Sequence, residues 1–179
     1  MQRLAWDLSL FMTAEFDFVS LPDQYITGSS IMPNKFNPDV VELLRARVPM
    51  VDACIQEILG VTSLPSGYHR DLQFTKAPLI RGMKGALQAM AIVPGLIRSI
   101  RFDKKKMADA ITSEMHATDV AVQYAVDGEP FRSAYRKVKA ELGSLRDRSP
   151  GDSLNMRVSA GASGDLRLQE IRQRLLPEN

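Results

Sequence analysis

The run NPDVVELLRARVPMVDACIQEILG, residues 37–60, carries its apolar residues at the three- and four-residue spacing of one helix face. It is too long for a strand, and Asn37 followed by Pro38 resembles an N-cap with proline at the first helical position. Pro49 lies inside the run and predicts a kink rather than an end. The sequence therefore predicts one long helix. Its apolar positions are Val40, Val41, Leu44, Val48, Val51, Cys54, Ile55, Ile58 and Leu59.

A second long apolar run lies downstream, beyond the polar segment SLPSGYHRDLQFTK, and contains Pro94 in its interior. Two helices of this length, each about 30 Å or more, lie antiparallel when a compact loop joins them. Upstream, the spacing of apolar residues predicts a helix from Arg3 to Phe16 that ends before Pro22. The second run has its apolar residues at Leu79, Ile80, Met83, Leu87, Met90, Val93, Leu96, Ile97 and Ile100.

The elements after residue 102 are shorter. Asp103 is expected to cap a helix through about Ile111, and two further helices are expected to stop at Gly128 and Gly143. Residues 144–164 read as a weakly ordered loop before a basic amphipathic helix with apolar residues at Leu168, Ile171 and Leu175. No strand is predicted.

The predicted fold class is therefore all-α. It combines the long antiparallel helices of a central bundle with a small C-terminal helical domain. Residues 1–102 form part of the central bundle domain, residues 103–143 the small helical domain, and residues 144–179 a loop and a terminal helix. The long apolar faces exceed what so short a chain can cover, so we expect helices from other subunits or from elsewhere in the same polypeptide to pack against them.

Composition excludes several classes of protein. The 179 residues include 23 Lys and Arg against 21 Asp and Glu, and a net charge of +2 does not favour nucleic acid or an anionic membrane as partner. The single cysteine, Cys54, has no intrachain disulfide mate, which fits a reducing compartment. No run approaches about 20 apolar residues, and the amphipathic start is unlike a leader peptide. A cytoplasmic protein is expected.

The segment TGSSIMPNKFNP, residues 27–38, interrupts the helical pattern with groups suited to an anion. Gly28 permits a tight backbone, Ser29 and Ser30 supply hydroxyls, Lys35 adds a positive charge, and Asn37 offers both donors and an acceptor. The start of the following helix would also favour a carboxylate. Spacing alone supports a solvated connector at least as well as a binding loop.

The order of these residues resembles the G-S-S-x-M-P-x-K-x-N-P signature of the fumarase/aspartase superfamily. This resemblance implies a homotetramer with a central helical bundle that eliminates fumarate from succinyl-type substrates, without a metal or an organic cofactor. The second loop, LPSGYHRDLQFTK, resembles the argininosuccinate lyase family within that superfamily, as do the flanks over roughly residues 3–138. The matched signature positions are Gly28, Ser29, Ser30, Met32, Pro33, Lys35, Asn37 and Pro38.

The resemblance also implies roles for particular side chains in converting argininosuccinate to arginine and fumarate, a carbon–nitrogen lyase reaction of arginine biosynthesis. Ser29 would abstract the proton, while Lys35 and Asn37 stabilise either the charge that develops or the succinyl carboxylate. Glu42 falls on the position that orients a histidine acid supplied from elsewhere. The substrate would be held by Ser30, Tyr68, Gln73 and Lys76.

That histidine acid precedes the signature segments in the family, and this chain offers only His69 and His116, for which surface or packing roles are expected. We therefore expect a C-terminal portion that lacks the N-terminal part of the site and is inactive alone. Two alternatives stay open: another superfamily lyase, acting on adenylosuccinate or on a modified argininosuccinate, and a noncatalytic protein like the lens crystallins. The modified substrate stays open because His69 and Arg70 replace a more usual Asn-Lys pair.

Overall fold

The computed structural model describes residues 1–63, 69–146 and 148–176. The chain divides between Lys106 and Met107 into two compact units. The first unit begins with helix α1 (Gln2–Phe11) and contains the long helices α2 (Asp39–Thr62) and α3 (Lys76–Ser99). Its short strands are β1 (Val19–Ser20), β2 (Thr27–Gly28), β3 (Phe36–Asn37) and β4 (Arg101–Phe102). Helix α4 (Lys104–Asp109) contains the boundary between the two units.

Helices α2 and α3 confirm the two predicted long helices, and each continues through its internal proline. They lie antiparallel. Glu57 near the end of α2 forms a salt bridge with Arg81 near the start of α3, whereas Gly85, further along α3, lies against Arg47 in the first half of α2. Asp39 and Glu42 occupy the first turn of α2, where negative charge stabilises the helix dipole.

The core of the first unit lies where α1 packs against the first half of α2 and the second half of α3. Leu96 and Val41 are fully buried in it. Burial of one such side chain contributes about 1.5–3 kcal/mol. The other buried core residues are Ala5, Leu8, Val19, Leu21, Leu44 and Ala89.

The second unit contains α5 (Ala117–Val126), α6 (Phe131–Ala140), α7 (Pro150–Asn155) and α8 (Leu168–Leu175). Ala121 on α5 and Ala134 and Val138 on α6 are buried. Gly128 follows α5 with φ of 100°, the left-handed conformation that glycine adopts without strain, as its predicted role in stopping the helix requires. The structure confirms the all-α class, with helices as the dominant elements of the described residues.

Two predicted helix boundaries are wrong. Helix α1 ends at Phe11 rather than Phe16, because the chain turns at Asp17 (φ of 47°) and packs Phe16 and Phe18 against each other with ring centroids 5.4 Å apart. Asn37 is not the N-cap of α2. It pairs with Thr27 as part of β3, so its backbone is extended and the helix begins after Pro38.

The prediction of no strand is wrong, and the predicted weakly ordered loop at residues 144–164 contains a helix. Two antiparallel ladders of two residues each join β1 to β4 and β2 to β3. Such strands are too short to show period-two alternation in the sequence. Helix α7 lies within the expected loop, and the Ser149 hydroxyl caps it by accepting a hydrogen bond from the Gly151 N–H, with Pro150 at the first helical position.

Candidate active site

The signature segment forms a hairpin at the amino end of α2. Thr27 pairs with Asn37 and Gly28 with Phe36, so the backbone ladder closes residues 29–35 into a loop. A turn within the loop is fixed by the Lys35 N–H, which donates to the Met32 carbonyl at 3.1 Å. The loop is therefore held at both ends and emerges directly onto the first turn of a long helix.

Ser29 is half-buried at the start of this loop, and its hydroxyl oxygen accepts two backbone hydrogen bonds. The donors are the N–H of Met32 at 3.0 Å and the N–H of Ile31 at 3.2 Å. Hydrogen bonds of this kind stabilise negative charge on the accepting oxygen. This environment suits a serine that must act as a base, because an unassisted hydroxyl holds its proton too tightly.

The other predicted residues of the signature segment lie around the same helix start. Lys35, Ser30 and Glu42 are exposed, and Asn37 is half-buried in β3. Glu42 lies on the first turn of α2, where its N–H donates to the Pro38 carbonyl at 3.1 Å. No ion pair to Lys35 or Glu42 forms within residues 1–63, 69–146 and 148–176, so both charges are available at an open surface.

Gln73 and Lys76 lie together at the other end of the helical hairpin. A short 3-10 turn, Arg70–Thr75, leads into α3, and the Lys76 ammonium donates to the Gln73 side-chain carbonyl at 3.0 Å. Both side chains are exposed. Tyr68, the third predicted substrate contact of this loop, lies outside the described residues.

The structure does not bring the two predicted groups together within one chain. The signature segment precedes the amino end of α2, whereas Gln73 and Lys76 lie beside its carboxyl end. Twenty-four helical residues separate these ends, or about 36 Å at 1.5 Å per residue. One small substrate cannot contact Ser29 and Gln73 of the same chain.

The second unit holds a buried polar cluster that the sequence reasoning missed. Asp119 on α5 accepts a hydrogen bond from the Ser153 hydroxyl on α7, and its other oxygen lies 3.4 Å from the Arg157 guanidinium. The His116 Nδ1 lies 3.7 Å from the same carboxylate, and His116, Asp119 and Ser153 are all buried. Burial alone would raise the pKa of Asp119, but the Ser153 and Arg157 partners outweigh it and hold the pKa below its ordinary value.

The residues that the structure describes contain neither a metal site nor a membrane-spanning helix. No three His, Cys, Asp or Glu side chains are arranged to hold a metal ion. No described helix combines the length and the apolar character needed to cross a membrane.

Known structures identify the class of the fold. Over 97% of this chain, the fold matches an EDDS lyase variant with bound fumarate, with a TM-score of 0.69 and 20% identity, covering 43% of that protein. EDDS lyase in complex with formate matches over the same share of the chain with a TM-score of 0.63. The profile of a family described as "Lyase" matches residues 1–51. The fold is thus shared with EDDS lyase, and the predicted all-α helical-bundle class is confirmed.

Relatives with a higher sequence identity than these structures are named as argininosuccinate lyases. The chain is 52% identical over 174 residues to the argininosuccinate lyase of Sorangium cellulosum (strain So ce56), and 52% identical over 175 residues to that of Stenotrophomonas maltophilia (strain K279a). Each match covers 97% of this chain. The predicted resemblance to the argininosuccinate lyases is confirmed. The chain spans only 40–41% of the length of these curated relatives.

Proposed function

We propose that this chain forms part of an argininosuccinate lyase, which cleaves argininosuccinate to arginine and fumarate as a step of arginine biosynthesis in the cytoplasm. The observation that carries this proposal is the 52% identity to argininosuccinate lyases over nearly the whole chain. The aligned region includes both the signature loop and the second loop. Because the chain spans two fifths of such relatives, the complete site requires segments beyond these residues.

In the proposed reaction, Ser29 removes a proton from the carbon next to a carboxylate of the succinyl group. The carbon–nitrogen bond then breaks, and the departing guanidino nitrogen takes a proton from a histidine outside this chain. The two N–H groups that point at the Ser29 oxygen stabilise its deprotonated form. Lys35 and Asn37 stabilise the extra negative charge of the carbanion intermediate, and Glu42 orients the histidine.

Substrate binding falls to Ser30 at the signature loop and to Tyr68, Gln73 and Lys76 at the second loop. Because the described loops lie at opposite ends of a 24-residue helix, the site is completed between subunits: the signature loop of one chain meets the second loop of another. The outer faces of α2 and α3 support this assembly, since several large apolar side chains there are exposed. They include Leu43, Met50, Leu59, Leu79, Met83, Leu87 and Met90. A homotetramer built on a central bundle accounts for both features.

The test is fumarate release by the full-length protein that contains this chain. Purified protein is incubated with argininosuccinate or with adenylosuccinate, and fumarate is followed by its ultraviolet absorbance. We expect release from argininosuccinate alone. Release from adenylosuccinate alone would assign the chain to a different lyase, and release from neither would contradict the proposed function.

A further inference from the structure

A side-chain hydrogen bond closes the base of the signature loop, in addition to the backbone ladder. The Thr27 hydroxyl on β2 donates to the Asp39 carboxylate at 2.5 Å. Asp39 is the first residue of α2, so this contact, called here the Thr27–Asp39 clasp, ties the strand that enters the loop to the helix that leaves it. A hydrogen bond to an ionised carboxylate is stronger than one between neutral groups.

Both ends of the clasp lie close in sequence to residues with proposed roles in the reaction. Thr27 precedes Ser29 by two residues, and Asp39 precedes Glu42 by three, which puts the two acidic residues on neighbouring positions of one helix face. The clasp therefore fixes the path of the chain into the loop relative to the first turn of the helix. None of the signature residues matched from the sequence makes this contact.

We propose that Thr27, acting through Asp39, is a positioning residue for Ser29. The proposal rests on the proposed function, because it assigns Thr27 to the loop that carries the base. Thr27 pairs with Asn37 through its backbone as well, so the ladder sets which residues face each other. The clasp then sets how the ladder is inclined to α2, and hence where the Ser29 oxygen lies relative to Glu42.

The catalytic test uses the full-length protein with three variants. Thr27→Val removes the hydroxyl but keeps the branched shape, Thr27→Ser keeps the hydroxyl, and Asp39→Ala removes the acceptor. We expect Thr27→Val to lower kcat about tenfold with KM unchanged, because misplacing a reacting group slows chemistry more than it weakens binding. Thr27→Ser retains the wild-type kcat. The double variant Thr27→Val/Asp39→Ala is no slower than the slower single variant, since both remove the same contact.

A second measurement tests the effect of the Thr27–Asp39 clasp on the loop and does not require catalytic turnover. Hydrogen exchange of the Ile31 and Met32 amides, which bond to Ser29, is compared in the wild type, Thr27→Val and Thr27→Ser. Faster exchange in Thr27→Val alone supports the proposal, even if the protein does not release fumarate from argininosuccinate and the proposed function fails. Unchanged exchange in Thr27→Val would overturn it. In a protein that releases fumarate, an unchanged kcat in Thr27→Val or losses that multiply in the double variant would also overturn it.

Discussion

Ser29 and Asp119 each have a side-chain oxygen that accepts hydrogen bonds from the protein, and we assign the two residues different purposes. The oxygen of the half-buried Ser29 accepts from two backbone N–H groups of the exposed loop that follows it, an arrangement that prepares the oxygen to carry charge. Asp119 also carries charge among hydrogen-bond donors, but it is buried and joins α5 to α7. We interpret the first as part of the reaction and the second as support for the fold.

The Asp119 cluster leads to a prediction about pH. Because its pKa is lowered on folding, ionised Asp119 contributes stability that is fully present above its ordinary value of 3.8 and is lost as the pH falls through the lower, folded value. The free energy of unfolding is measured by urea titration between about pH 3 and 7 for the wild type and Asp119→Asn. We expect the advantage of the wild type to shrink only at the acidic end. A constant difference across the range would contradict the assignment.

Single residues of the signature were predictable because their order matches a known pattern, whereas their contacts were not. Nothing in the sequence indicates that the Thr27 hydroxyl reaches Asp39 or that Ser153 reaches Asp119, since 12 and 34 positions separate these pairs. The conformation of Asn37 was likewise not predictable from its sequence neighbours. Its sequence neighbours are typical of a helix cap, but pairing with Thr27 holds it in a strand.

At the scale of elements, long helices follow from periodic apolar residues, and short ones depend on contacts between distant segments. The α2 and α3 patterns extend over many turns and outweigh internal prolines at positions 49 and 94. Helix α7 has six residues, and its position depends on the Ser153 bond to Asp119 and on the segment that follows it. Its sequence, with Ser149, Pro150 and Gly151, is equally typical of a turn.

A substitution at Gly164 tests how closely the chain packs beside α7. Its N–H donates to the Arg157 carbonyl at 3.0 Å, and a Cβ at this position would lie 2.7 Å from the carbonyl oxygens of Leu154 and Arg157. We therefore expect Gly164→Ala to lower the free energy of unfolding by about 1–3 kcal/mol, as overpacking does. Gly143→Ala is the matched control, because nothing lies within 4 Å of its added methyl group. Equal effects of the two substitutions in thermal or urea unfolding would show that the close approach is unimportant.

At the scale of the whole molecule, the length of α2 determines how a site can be completed. Ser29 and Lys76 lie at opposite ends of the helical hairpin, and neither can reach the other across about 36 Å. The sequence predicted the residues of the signature loop, those of the second loop and the antiparallel helices. The structure adds that the two loops of one chain lie at opposite ends of α2. Each proposed site therefore takes its signature loop and its second loop from different subunits.

This separation predicts recovery of activity in mixed oligomers. Full-length Ser29→Ala and Lys76→Met variants are each expected to be inactive alone. When they are co-expressed, some sites combine an intact Ser29 from one subunit with an intact Lys76 from another, so fumarate release is expected to return in part. The co-expressed pair is compared with a mixture of the separately purified variants that has not exchanged subunits. Activity no higher than the sum of the two variants would indicate that both residues act from one chain.

The central claim is that Ser29 abstracts the proton in a reaction that releases fumarate. The most direct measurement is the turnover of argininosuccinate by full-length wild type and Ser29→Ala, with substrate binding followed separately by calorimetry. We expect Ser29→Ala to lower kcat by at least about 100-fold, the lower range of a general base's contribution, while argininosuccinate still binds. Turnover by Ser29→Ala at the wild-type rate would contradict the claim.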